Sequence, residues 1–407
     1  MVIRIPLSAL LLLLIVAGTA RADTLTAAEV VQRGLGRSPA ILAARQRTEA
    51  AQSALQAAGL LPAPRLEVAP GVGFTNGNAF LTKSFDISGE RKARSQAAQG
   101  ELDVALAQER WVRQQVATQL RIAYFELVRS RRAESQIQDA LTLARVIQAR
   151  IMRRVELGEA PAVQGIRADI ETVKLEQERI RAHSEVTAQL ATLNRLLGRA
   201  SEIELIPSDS LLLPIEPLAI EVLLSRAKTQ RPELAQAQAQ LQVSEGEISL
   251  VKARSRPTLS LDLATDFWSL DRRSTIQPLG LQVRYSLPFG IDYSQRAQLK
   301  KAQAERSAEE AELDVRQQAV AIEVERAALK LRAARTAALN YEAEVLPRVE
   351  MLFAITRKGF DDGLTSFVEV LEAQRSARIS HQEYEILLME ALRADLALAG
   401  ALGENPS

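Results

Sequence analysis

Ser38-Pro39-Ala40-Ile41-Leu42 and Arg231-Pro232-Glu233-Leu234-Ala235 are one phrase written twice, 193 positions apart, and Pro64-Arg65-Leu66 and Pro257-Thr258-Leu259 keep that offset. Further on, Val155-Glu156-Leu157-Gly158 pairs with Phe360-Asp361-Asp362-Gly363, and Leu196-Leu197-Gly198 with Ala401-Leu402-Gly403, now 205 positions apart. The second copy therefore carries 12 more residues between these anchors. A period near 200 is far longer than the roughly 20 to 50 residues of a solenoid repeat. It signals a duplicated half-domain and a symmetric body.

The chain has 407 residues, few Gly and Pro, and abundant Ala, Gln, Glu, Arg and Leu, which is the composition of long helices. Aromatics are 4%, too few for a thick conventional core, so the helices are expected to pack through small Ala-rich seams. The N-terminus reads Arg4, an apolar run over residues 7–16, then Ala20-Arg21-Ala22 before Asp23, the layout of an export signal cleaved after Ala22. A transmembrane anchor is the alternative, but the apolar stretch falls short of the ~20 residues a spanning helix needs. Loss of residues 1–22 takes the formal charge from +1 to −1, with 49 basic and 50 acidic residues, which gives no argument for nucleic acid. There is no Cys, hence no disulfide, no thiolate metal site and no Cys to carry a lipid at the mature terminus. No later segment is apolar enough to cross a bilayer as a helix, so any membrane insertion must use β-strands.

Each copy reads short helix, medium helix, two strands, very long helix, long helix. The expected organisation is a signal over 1–22, a first repeat over 23–207, a linker over 208–217, a second repeat over 218–403 and a tail over 404–407. Thr26-Ala27-Ala28-Glu29 is a capping box, and Pro39 opens the next helix. Strands are expected at about 65–87 and 258–288. Leu66, Val68, Val72 and Phe74 alternate with polar or small residues before the turn Thr75-Asn76-Gly77-Asn78. The next strand, about 79–87, alternates less cleanly because of Lys83. In the second copy Leu259, Leu261, Leu263 and Phe267, then Leu281, Val283, Tyr285 and Leu287, alternate with polar partners. Residues 90 to about 155 and 293 to about 358 are interrupted only by Gly100 and Pro347, and each could form one helix on the order of 95 Å long. With the helices beyond the Gly turns they make two long hairpins, over 90–198 and 291–402. Leu120, Ala123, Tyr124, Leu127, Leu141, Ala144, Ile147 and Ile151 recur at the three- and four-residue spacing of a coiled-coil seam.

Half of the 16 aromatics, namely Phe74, Phe80, Phe85, Phe267, Trp268, Tyr285, Phe289 and Tyr293, lie in or beside the strands. Aromatic girdles are what a membrane barrel places at its rims, although a small soluble β-cap gives the same pattern. Lipid permits no open sheet edge, and spanning barrels start at about eight strands. Four strands cannot close one, so a barrel must be shared between chains, and the physics alone does not choose between two chains and three.

This architecture resembles the TolC family of outer-membrane efflux channels over residues 25–403. The resemblance rests on the paired Pro39 and Pro232 helix starts, the Ala-rich helices leading to Pro64-Arg65-Leu66 and Pro257-Thr258-Leu259, and the turns at Gly158 and Gly363. Phe85-Asp86-Ile87-Ser88-Gly89-Glu90-Arg91-Lys92-Ala93-Arg94 is similar to the strand exit of its heavy-metal (CzcC-like) branch. The resemblance implies a mainly α fold with a small β part. Four transmembrane strands per chain would combine in a homotrimer into a 12-stranded barrel, continued by a helical tunnel into the periplasm. It further implies the outer-membrane duct of a tripartite efflux pump in a Gram-negative bacterium. Its partners would be outer-membrane lipid, a periplasmic adaptor and an inner-membrane transporter, and its cargo heavy-metal cations or drugs. A soluble periplasmic coiled-coil scaffold or adaptor is the alternative from another class.

The family uses its two tips to meet the adaptor, which here points to Leu157, Gly158, Glu159 and Ala160 and to Gly363, Leu364, Thr365 and Ser366. Both glycines also have a purely structural reason to be there, as left-handed helix ends, with Pro161 early in the next helix. Acidic residues after the second tip line the family's closed aperture. The matching positions are Glu369 and Glu372, where Asp is common, and three copies would ring a narrow axis with carboxylates that favour cations. Ser366-Phe367-Val368-Glu369 is itself a capping box, a sufficient reason for Glu369 but not for Glu372. At the first tip the corresponding residues are Gln164 and Arg167. No enzyme is expected. His183 and His381, the only histidines, sit in polar helical sequence with no catalytic or metal-spacing cluster, and Gly71-Val72-Gly73 lacks the third Gly of a dinucleotide loop. No cofactor and no metal site are called for.

Overall fold

The computed structural model describes residues 23–69, 77–267, 279–287 and 293–404. The expected signal and its cleavage point, and the residues Gly71, Val72, Gly73, Phe74, Thr75, Asn76, Trp268 and Phe289, lie outside the described residues. The element order runs β1 (Asp23–Leu25), α1 (Ala27–Arg37), α2 (Pro39–Ala58), β2 (Arg65–Ala69), β3 (Gly77–Phe85), α3 (Glu90–Glu156), α4 (Ala162–Leu196) and β4 (Leu205–Pro207). It continues α5 (Ile220–Gln230), α6 (Pro232–Arg254), β5 (Thr258–Phe267), β6 (Gly280–Ser286), α7 (Tyr293–Glu344), α8 (Leu346–Asp361) and α9 (Phe367–Leu402). No described helix is long and apolar enough to cross a membrane.

The chain divides into two compact units, and α3 contributes residues to both. The first comprises Met1–Val30 and Ala123–Ser210. Here the C-terminal part of α3 and α4 form an antiparallel hairpin. Leu141, Ala144, Ile147 and Ile151 are buried along its seam, and Arg145–Glu176 and Gln148–Asp169, each at 2.9 Å, cross it. Asn194, fully buried, holds the chain reversal after α4 by donating from Nδ2 to Ser201 O (3.1 Å) and Ile203 O (2.7 Å). The chain then returns as β4 to pair in parallel with β1. Tyr124, 0% exposed, sits beneath this pair. Its hydroxyl donates to Leu25 O (2.9 Å) and accepts from the N–H groups of Ser208 and Asp209 (3.1 Å each), while Asp209 Oδ2 accepts from Ala27 N (2.6 Å). Burial pushes the phenol above its ordinary pKa, and the Asp209 carboxylate adds to this, so the hydroxyl stays protonated.

The second unit comprises Val31–Ile122 and Leu211–Ser407. Its helical core joins Leu223, Ala227 and Leu234 with Val324, Leu331, Leu398 and Leu402 on α5, α6, α7 and α9. Small residues allow the close crossings: a Cβ on Gly246 would lie 2.6 Å from Ala97 Cα, so α3 and α6 can meet there only over glycine. Arg231, 8% exposed, pairs with Glu233 (3.2 Å) and Glu323 at the start of α6. The second very long helix is not continuous as expected: α7 ends at Glu344 and α8 begins at Leu346. Pro347 causes this, because it has no N–H to bond four residues back and its ring crowds that carbonyl.

Candidate functional site

The four strands of the second unit form one antiparallel sheet in the order β2-β3-β5-β6, so β2 and β6 are its edges. The register sorts the side chains into two faces, because residues paired across strands point the same way. One face carries Leu66 and Val68, Leu81 and Phe85, Leu259, Leu261 and Leu263, then Leu281, Val283 and Tyr285. The opposite face carries Glu67, Thr82, Ser84, Ser260, Asp262, Gln282 and Arg284. With them goes Phe80, which pairs with Glu67 and Ala264 and so does not share the face of Phe85 and Tyr285 as a common aromatic girdle would require. The apolar face is open at the edge strands, where Leu281 and Val283 are 69% and 67% exposed. On the polar face Asp262 is buried and paired with Arg284 at 3.0 Å. Lys83, which blurs the alternation in sequence, belongs to the apolar face by register, and its Nζ reaches out to Pro62 O (2.9 Å). The stem covers apolar surface while the charge leaves it.

The strand exit after β3 has a local explanation. Asp86 caps α3: Oδ1 accepts from Gly89 N (2.9 Å) and Glu90 N (3.0 Å), and Oδ2 accepts from Arg91 N (3.0 Å). Gly89 supplies the positive φ of 81° that this turn into the helix needs. Burial alone would raise the Asp86 pKa, but the three backbone donors together with Ser88 hold it below its ordinary value.

In the first unit α3 ends in a turn built from backbone bonds, Gly158 N to Val155 O (3.0 Å) and Glu159 N to Arg154 O (2.8 Å), with Gly158 at φ 76°. Leu157, Gly158 and Glu159 are exposed, Ala160 is half-buried, and Pro161 caps α4 without a side-chain bond. In the second unit Gly363, also at φ 76°, ends α8. Leu364 is 82% exposed. Thr365 Oγ1 donates to Thr356 O (2.9 Å), and Ser366 and Glu369 make a complete capping box at the start of α9.

Glu369 and Glu372 share one exposed face of α9 and line a groove of about 430 Å³ with Leu352 and Thr356 of α8 and Thr365, Ala373 and Ser376. Glu369 accepts from Ser366 N (3.0 Å), whereas no hydrogen bond or ion pair among the described residues engages Glu372. Leu352 and Thr356 were not singled out in the sequence, although their spacing of four puts them on one helix face. His183 pairs with Glu134 in the first unit (2.8 Å) and His381 with Glu350 in the second (3.2 Å). Among the described residues no cluster of three His, Asp or Glu side chains could hold a metal.

Long helical hairpins and a small antiparallel sheet with one apolar face define the class: a mainly α protein with a small β part. The family described as outer membrane efflux protein matches residues 223–404, which is the second copy. Protein CyaE of Bordetella pertussis is 27% identical over 95% of this chain and 86% of its own, thus across both copies. Cobalt-zinc-cadmium resistance protein CzcC of Cupriavidus metallidurans is 24% identical over 94% of this chain and 91% of its own. The open-state MtrE outer membrane channel of Neisseria gonorrhoeae has the same fold, with a TM-score of 0.74, 15% identity, and coverage of 93% of this chain and 89% of that one. The second copy thus matches the outer membrane efflux protein family, and these similarities support the role of an outer-membrane efflux channel.

Proposed function

We propose that the protein is a homotrimeric exit duct of the outer membrane of a Gram-negative bacterium, working passively with a periplasmic adaptor and an inner-membrane transporter. The observation that carries this is the sheet. Among the described residues nothing covers the apolar face at the edge strands or pairs with either edge, a state tolerated in lipid only when neighbouring chains complete a barrel. β3 and β5, at 9 and 10 residues, match the roughly 9–11 that a tilted spanning strand needs. The polar face, with Asp262 and Arg284, then lines a wet lumen. The metal-resistance relative supports heavy-metal cations as cargo.

Membrane fractionation followed by mild electrophoresis should give a heat-sensitive trimer band, and a soluble monomer would overturn the reading. At the tips, Gly158 and Gly363 with their neighbours present exposed apolar groups for the adaptor. Glu372, with Glu369 beside it, faces the pore as a cation-selective gate. In planar bilayers Glu369→Gln with Glu372→Gln should lower cation selectivity several-fold, and unchanged conductance and selectivity would remove the gate. Deleting the gene should reduce tolerance to cobalt, zinc and cadmium; unchanged tolerance would exclude these cargos.

A further inference from the structure

We infer that the periplasmic rim of the sheet carries a built binding site for anionic phospholipid headgroups, centred on Arg91 and Lys92 and repeated in the second copy by Arg296 and Lys300. The inference rests on the channel reading above, because that reading places the end of the strands at a membrane surface.

Phe85, Leu259 and Tyr285 form one row across β3, β5 and β6 on the apolar face, and Phe85 and Tyr285 are exposed. Aromatics belong at the boundary between hydrocarbon and headgroups. Immediately beyond this row the chain enters α3 at Glu90 and α7 at Tyr293. Arg91 and Lys92 fall in the first turn of α3, and Arg296 and Lys300 in the first two turns of α7, with Arg91 and Arg296 at the 205-residue offset of the repeat. At 1.5 Å per residue Arg91, Lys92 and Arg296 stand within about 5 Å of the helix starts, inside a headgroup layer about 5–8 Å deep, and Lys300 follows one turn further on, where its long side chain can reach back.

Stability does not explain these charges. Cations in the first turns of a helix oppose its dipole. The first two N–H groups of α3, those of Glu90 and Arg91, are already satisfied by Asp86. The one acid in its first turn, Glu90, is paired with Arg254 (3.5 Å), and Arg256 bonds Ser88 O (3.0 Å). Arg254 and Arg256 lie at the C-terminal end of α6, where cations favour the helix, so they have a structural role. Among the described residues the side chains of Arg91, Lys92, Arg296 and Lys300 have no hydrogen bond or ion pair, and all four are exposed. Arg91 and Lys92 also line a cavity of about 940 Å³ with Ser95, Gln96, Gln99, Gln242 and Glu245, whose carboxylate is paired with Arg306 (3.5 Å). Two free cations over hydrogen-bonding side chains, next to an apolar rim, suit a phosphate tethered to acyl chains rather than a free ion.

The purified full-length channel in neutral detergent would be titrated with short-chain phosphatidylglycerol and with phosphatidylcholine, with bound lipids counted by native mass spectrometry. Each cation near an anionic surface strengthens binding about fivefold. The wild type should therefore prefer phosphatidylglycerol at least tenfold, and Arg91→Gln/Lys92→Gln/Arg296→Gln/Lys300→Gln should lose that preference. Arg326→Gln/Lys330→Gln, which removes charge elsewhere in the second unit, should keep it. Equal binding of the two lipids, an unchanged preference in the quadruple variant, or full displacement by inorganic phosphate at matched concentration would overturn the lipid site. Insertion into pure phosphatidylcholine liposomes separates the two readings. A channel that inserts there without preferring the anionic lipid refutes this site alone, whereas failure to insert into any bilayer refutes the channel reading and this site with it.

Discussion

The hairpin of α3 and α4 turns at Gly158 and the hairpin of α8 and α9 turns at Gly363, both with φ 76°. The two turns lead into helices that start differently. The first rests on backbone bonds and a proline cap, whereas the second adds the Ser366–Glu369 box and the bond from Thr365 to Thr356. A similar contrast holds for the anchors of the two units. Tyr124 ties the first through a neutral hydroxyl, and Arg231 ties the second through a charge shared with Glu233 and Glu323. Duplication has kept the geometry that glycine and proline dictate and let the side-chain chemistry diverge.

The anchors should give the largest effects. Tyr124→Phe strands the N–H of Asp209 and takes the hydroxyl from Leu25 O and Ser208 N, which keep their bond to each other (3.1 Å), a cost of about 2–3 kcal/mol at 1–3 kcal/mol per unsatisfied group. Arg231→Met should cost less, about 1–2 kcal/mol, because Glu323 is largely exposed and regains water. Thermal unfolding of the purified variants tests the order, and an Arg231 loss equal to that of Tyr124 would erase the contrast. At the turns, Gly158→Ala and Gly363→Ala should each cost about 1–2 kcal/mol and by the same amount, since both are left-handed and neither Cβ would meet a neighbour within 4 Å.

The caps should separate what the glycines do not. Ser366→Ala should cost about 1 kcal/mol and speed hydrogen exchange of the first amides of α9, while Pro161→Ser with Gln164→Glu should slow exchange at the start of α4 by building the missing box. The smallest effect belongs to Asp86. Its folded pKa is depressed, so its contribution is full above the unfolded value near 3.8 and is lost as pH falls through the lower folded value. The melting difference between wild type and Asp86→Asn should be visible at pH 7 and vanish in strong acid; a difference that grows in acid would reverse the sign.

Much of this was legible in the sequence because its signals are local. Pro39 and Pro232 open α2 and α6, the turn glycines take left-handed φ, and every seam residue from Leu120 to Ile151 is buried. Pro347 gave warning of the break at Val345, but its effect depends on whether packing tolerates a kink or a stop. The pairing of β1 with β4 was not legible, since two three-residue strands about 180 positions apart leave no periodicity to read. Nor was the role of Tyr124, which looks like one more seam residue until the chain returns over it. Lys83 misled for a related reason: a strand pattern records which face a side chain starts from, not where a flexible stem delivers its charge. Around Glu372, Leu352 and Thr356 come from another helix and were invisible to any motif.

The order β2-β3-β5-β6 with every neighbour antiparallel means that β2 and β6 run in opposite directions. Each chain is thus a tile whose left edge suits the right edge of an identical tile, and a ring of two, three or four such tiles would close with the same polarity throughout. Strand direction cannot count copies. In such a ring the choice would fall to the helices, and Gly246 is where α3 and α6 come closest, a Cβ there lying 2.6 Å from Ala97 Cα. A substitution at Gly246 would then change the bore of the ring without touching a strand.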